Sequence, residues 1–153
     1  MPPLVVRLVG MQVTIDRSKW LRGEGSPGSR LIRERDKKQC CIGFVCLTAG
    51  IPANGILGRG SPMQVDIYKL GPWDFKQDND TMFAAFALND AIDGHRPDSG
   101  GLTSNALLRT KGLDGEIVDD ADREARLTKF LATVGIELTF VDGPVEAAAP
   151  AAP

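Results

Sequence analysis

The sequence holds one histidine, His95, and three cysteines, Cys40, Cys41 and Cys46, with no C-x-x-C pair among them. That scarcity argues against the common zinc sites, which draw four ligands from Cys and His at set spacings, and adjacent cysteines chelate poorly. It also leaves little for a hydrolase triad. His95 sits in a Gly- and Pro-rich stretch, and neither Ser61 nor Ser99 lies in a G-x-S-x-G elbow. Long apolar runs are missing too. The longest, starting at Cys40 and running past Cys46, is too short to cross a bilayer. The opening MPPLVVRLVG lacks the basic n-region, long apolar h-region and cleavage site of a secretory signal. The expected location is therefore the cytosol, where thiols stay reduced. Phosphate-loop chemistry lacks its signature: GEGSPGS (23–29) and GRGSP (58–62) have no Gly-Lys-Ser/Thr ending. Asp78-Asn79-Asp80 lacks the Gly and closing Glu of a calcium loop. No metal and no cofactor is expected.

What is present describes an ordinary globular chain. Its 153 residues suffice for one core without staples. Leu4–Leu8, Met11–Ile15 and Met63–Leu70 read as strands, and Asp16 as the N-cap of a short helix, 16–22, closed by Gly23. Residues 29–35 fit a short helix or a strand equally. Asp36-Lys37-Lys38 reads as a turn. Cys41–Ala49 is apolar all round, so periodicity does not settle it; the Gly50-Ile51-Pro52 stop favours a buried helix, although Gly43 argues against one. A helix over 81–92 takes Asp80 as its cap, and Ser104–Thr110 forms another, closed by Gly112. The clearest element is a helix over 120–134, with Leu127, Phe130, Leu131 and Val134 on one face and the pairs Asp119–Arg123 and Asp122–Arg126 at i, i+4. Ile136–Val141 then alternates as a half-buried strand. The expected fold is a single α+β domain over residues 1–142, a small, mostly antiparallel sheet packed on two or three helices. PVEAAAPAAP follows Gly143 as a flexible tail, 143–153.

Charge is unevenly spread. Residues 1–39 carry nine basic and four acidic side chains; residues 61–153 carry eight basic and sixteen acidic. Two readings follow: an anion-binding face near the N-terminus, or two halves that lie together and neutralise each other. Under the first, the ligand-binding residues are Arg17, Lys19, Arg22, Arg30 and Arg33, with Gly23, Gly25 and Ser26 of the glycine loop. Arginine's planar fork suits phosphate and carboxylate alike. The cysteines also allow two readings. Cys40 or Cys41 at a helix entrance, beside Lys37 and Lys38, could be a reactive thiolate and carry a thiol-dependent or redox activity. The alternative is packing, since free Cys behaves as a small hydrophobe.

One resemblance bears on function. The run DRSKWLRG (16–23), then CCIGF (40–44), Asn89-Asp90, DREAR (122–126), Gly135-Ile136 and Phe140-Val141 is similar to a group of small uncharacterised proteins carried by phages and prophages. The W-L-R-G and C-C-[LI]-G-F pair is its most specific part. The resemblance brings no established activity. It implies an accessory product acting in a bacterial cytosol, and so a non-enzymatic binding or interference module. Such a module would take a host protein or an anionic small ligand such as a nucleotide; nucleic acid is not favoured. The other readings are the thiol enzyme at Cys40 or Cys41 and a structural virion component.

Overall fold

The structure, a computed structural model, describes residues 10–25, 30–62, 72–74 and 77–143. The strands expected at Leu4–Leu8 and Met63–Leu70, the loop residue Ser26 and residues 144–153 lie outside that set. Two strands, β1 (Met11–Asp16) and β2 (Ile136–Val141), pair from Met11–Ile136 to Asp16–Val141. Among the described residues five helices lie between them: α1 (Cys41–Thr48), α2 (Ala53–Ile56), α3 (Asn79–Asp90), α4 (Leu102–Thr110) and α5 (Asp120–Ala132). The result is one α+β domain.

The strands are parallel, not antiparallel as expected. Parallel partners need a crossover, and here the helices supply it, α5 packing back on β2. Alternation sets the inner face: Val13, Ile15, Ile136 and Leu138 are buried, while Gln12, Thr14, Glu137 and Thr139 face out. Gly10 lets the strands start close together, since a Cβ there would sit 2.5 Å from the Gly135 carbonyl oxygen, which accepts from Met11 N–H.

Two expected elements change shape. The helix over 16–22 is a single 3-10 turn, Arg17–Lys19. Asp16 caps it as expected, accepting from the Ser18 N–H at 2.9 Å. Trp20 then extends to bridge Gln39, which sends Trp20 and Leu21 into the core without any helix. Of the expected 29–35 element, the described residues 30–35 form neither helix nor a full strand: Ile32 bridges Leu57, and a turn follows at Glu34–Asp36.

α1 is buried on every side from Cys41 to Cys46, which is why its periodicity is silent. Gly43 does lie inside it. A Cβ there would overlap the Leu31 carbonyl oxygen, so the absent side chain is what lets residue 31 lie against the helix. α3 starts earlier than expected: Asp78 holds the cap position, without a side-chain cap bond, and Asp80 falls in the first turn. Its alanines 84, 85 and 87 are buried where it packs on α1, α4 and α5, whereas Phe83 is exposed. In α5, Leu127, Phe130 and Leu131 are buried as the spacing predicts. Arg126 pairs with Asp122 at 2.9 Å. Asp119 instead caps the helix through Asp122 N–H, and Arg123 turns inward.

Candidate functional site

The cationic residues expected to bind a ligand are mostly engaged within the fold. Arg17 grips Glu124 with two parallel bonds, 2.7 and 2.8 Å, and reaches Asp142 at 3.1 Å. Arg22 pairs with Asp120 at 2.9 Å, donates to the Arg17 and Trp20 carbonyls, and lies 4.6 Å from the Trp20 ring centroid. Arg33 takes Asp36 at 2.6 Å and Glu24 at 2.9 Å, and its guanidinium holds the Asp36 carboxyl well below the usual carboxylate range. The basic N-terminal segment and the acidic C-terminal half thus meet and neutralise each other at Arg17 and Arg22. Lys19 is exposed on the 3-10 turn. Arg30 is half-buried, and its carbonyl accepts from Cys40 N–H. Gly23 and Gly25 adopt left-handed backbone, φ 69° and 72°, and donate to the Asn89 and Asp90 carbonyls. They fasten the loop to the end of α3.

All three cysteines are free and fully buried. Cys40 stands at the N-cap of α1 but makes no side-chain cap hydrogen bond; the nearby Gly43 and Ile42 N–H groups favour a thiolate only weakly. Burial opposes them and wins, with help from the Asp90 carboxylate, pushing the Cys40 thiol up to about 12. Burial likewise raises Cys46 to about 12 and holds Cys41 well above its usual value. At neutral pH each is an inaccessible thiol.

A buried amide inside the helix expected over 81–92 carries a polar hub that the sequence did not single out. Asn89 is buried in the last turn of α3 and uses its whole amide. Its oxygen accepts from Trp20 Nε1 at 2.8 Å and Cys41 N–H at 3.0 Å; its nitrogen donates to the Leu21 carbonyl and Asp90. Next to it Arg123, fully buried, donates to the Leu88 and Asn89 carbonyls and pairs with Asp93 at 2.8 Å and Asp120 at 3.4 Å. The periodicity carried a sign of this, because 123 precedes Leu127 by four and so shares the apolar face.

Asp93 is where this hub leaves the core, and the loop after it carries a groove. Gly94 N–H bonds the Ile117 carbonyl and Ile117 N–H the His95 carbonyl, pinning 94–95 to the segment before α5. Asp98 accepts from Gly100 N–H and Asn105 Nδ2, which keep its carboxyl below the ordinary range. Asn105 in turn accepts from Ser99, tying the loop to the first turn of α4. Arg126 donates to the carbonyls of Leu113, Gly115 and Glu116 and so shapes the far wall. Between these walls lies a groove of about 300 Å³ lined by Arg96, Pro97, Asp98, Asn105, Arg109 and Asp114. Arg96 and Asp98 also border an adjoining hollow of about 170 Å³ over Ala87, Ala91 and Ile92, with Gly25, Asp90 and His95 at its edge. Among the described residues, the side chains of Arg96 and Arg109 have no hydrogen-bond or ion-pair partner.

Among the described residues no group of three His, Cys, Asp or Glu side chains could hold a metal ion, and no helix is long and apolar enough to cross a membrane. No family model matches the chain, and neither a curated protein nor a solved structure matches it.

Proposed function

We propose that the protein is a non-enzymatic binding module of the phage accessory type, acting in the host cytosol, and that it takes an anionic small ligand in the groove between the 93–101 loop and α4. The observation that carries this reading is the pair Arg96 and Arg109, two unpartnered guanidinium groups on one concavity. A guanidinium offers five donors in a fixed fork suited to phosphate or carboxylate. Arg17, Arg22 and Arg33, the residues favoured by charge pattern alone, already spend those donors on carboxylates of this chain. The thiol-enzyme alternative has less support, because a buried protonated thiol is a poor nucleophile. No observation favours a virion component.

The test is an NMR titration of the full chain with inorganic phosphate. Amide shifts should cluster at Arg96, Asn105 and Arg109, and the double variant Arg96→Ala/Arg109→Ala should lose them while Lys129→Ala keeps them. Shifts centred on Arg17 to Arg33 instead, or none in the groove, would overturn the reading.

A further inference from the structure

Resting on the reading of Arg96 and Arg109 as the anion site, we infer that its ligand is a free acidic α-amino acid, one carboxylate on each arginine and the ammonium group on Asp114. The charged lining of the groove holds two cations, Arg96 and Arg109, and two anions, Asp98 and Asp114. The two anions are not equivalent. Asp98 already accepts from Gly100 N–H and Asn105 Nδ2, which hold it as part of the loop. Asp114 is half-buried, and among the described residues its carboxylate has no hydrogen-bond or ion-pair partner. It lies just past the end of α4 yet does not pair with Arg109 in the last turn of that helix. Three charged groups of mixed sign thus line one concavity with their hydrogen-bonding capacity unspent.

That combination narrows the ligand. A simple anion satisfies the arginines but brings its charge up to Asp114, and like charges at short range cost affinity. A zwitterion meets both signs: the guanidiniums donate to its acidic groups, and Asp114 accepts from its ammonium. The arginines come from different walls, Arg96 from the 93–101 loop and Arg109 from α4, where it shares a face with Asn105 one turn earlier. Each planar fork matches one carboxylate with two parallel bonds, so two forks suit a dicarboxylate. An amino acid built into a peptide has given its α-carboxylate, its ammonium or both to amide bonds. The free amino acid is the form that supplies all three charges. Its size agrees, since about 300 Å³ stands at the small end of small-molecule sites.

NMR titration of the full chain with two matched pairs tests this: glutarate against L-glutamate, and succinate against L-aspartate. The members of each pair differ only in the ammonium group. In at least one pair the amino acid should bind about fivefold more tightly than the plain dicarboxylate, the worth of one partly exposed ion pair. Asp114→Asn keeps the shape and removes the charge. It should erase that advantage and leave the dicarboxylate bound as well as before or better. The double variant Arg96→Ala/Arg109→Ala should lose all four ligands. If inorganic phosphate or the dicarboxylates bind through the two arginines and neither amino acid improves on its partner, the amino-acid inference falls and the anion site stands. An amino-acid advantage that survives Asp114→Asn, or a dicarboxylate weakened by Asp114→Asn as much as its amino acid, would also overturn it. If neither these compounds nor inorganic phosphate bind, the anion site falls too.

Discussion

Asn89 shows how one side chain can hold three segments. Its amide is saturated by Trp20 and Cys41 as donors and by the Leu21 carbonyl and Asp90 as acceptors, all without help from solvent. Truncation to alanine strands the indole N–H, a helix-entry N–H and a carbonyl inside the core, each costing about 1–3 kcal/mol. Asn89→Ala should therefore lose more than about 3 kcal/mol in urea unfolding, and a loss below about 1 kcal/mol would show that water replaces the amide. The cysteines make a prediction in pH. Their folded values lie above those of the unfolded chain, so the neutral thiol is the form the fold retains. The unfolded thiol ionises near 8.5–9. Stability is intact below that pH and, for Cys40 and Cys46, declines as pH rises toward about 12, by up to about 1.4 kcal/mol per pH unit for each. Cys46→Ala removes one thiol, so under reductant its urea midpoint should fall less steeply than that of the unaltered protein between pH 9 and 11. Equal slopes would mean that Cys46 ionises freely in the folded state.

Among the elements, legibility followed the number of faces each one buries. α5 and β2 bury one side, so their periodicity marked them, and the residues at 127, 130, 131, 136 and 138 are core as read. α1 buries all sides from 41 to 46 and leaves no pattern; only its glycine and proline stop marked where it ends. Gly43 is the sharpest case of local preference yielding to packing. Propensity alone says that Gly43→Ala should gain roughly 1 kcal/mol in a helix interior. Contact with the Leu31 carbonyl reverses the sign, because the obstacle is backbone that also bonds elsewhere: Leu31 N–H donates to Arg59. We expect Gly43→Ala to destabilise by about 1–3 kcal/mol, as overpacked cores do. A neutral or stabilising result in thermal melts would mean that the 30–32 segment shifts freely away from α1. The groove was not legible for a related reason. Charge density pointed to 17–38, but density does not show which guanidiniums already have carboxylates, and Arg96 and Arg109 stand apart in sequence with no pattern joining them. Only the fold of the 93–101 loop onto α4 does so.

At the scale of the whole molecule, the sheet joins the two ends of the described chain. β1 and β2 bond only to each other among the described strands, and Arg17 repeats the closure outside the sheet by clasping Glu124 and Asp142. The uneven charge of the sequence has its structural meaning here: the basic start and the acidic finish are neighbours. Closing a loop of this length costs entropy before any contact repays it, so the pairing belongs to the cooperative act of folding rather than to a local nucleus. Its removal should then be global. A chain ending at Val134 leaves α5 with all its helical hydrogen bonds, yet strips Ile136 and Leu138 from the core and every ladder bond from β1. The exposed faces of α5 and β1 would drag Trp20 and its Asn89 bond into solvent as well, since Trp20 stacks 4.9 Å from Phe140. Far-ultraviolet circular dichroism and tryptophan fluorescence should therefore lose their sharp urea transition together in the shortened chain, while in the full chain the two transitions coincide. A shortened chain that kept a steep helical transition would show instead that the helices fold as a unit and that the two-stranded sheet is laid on afterwards.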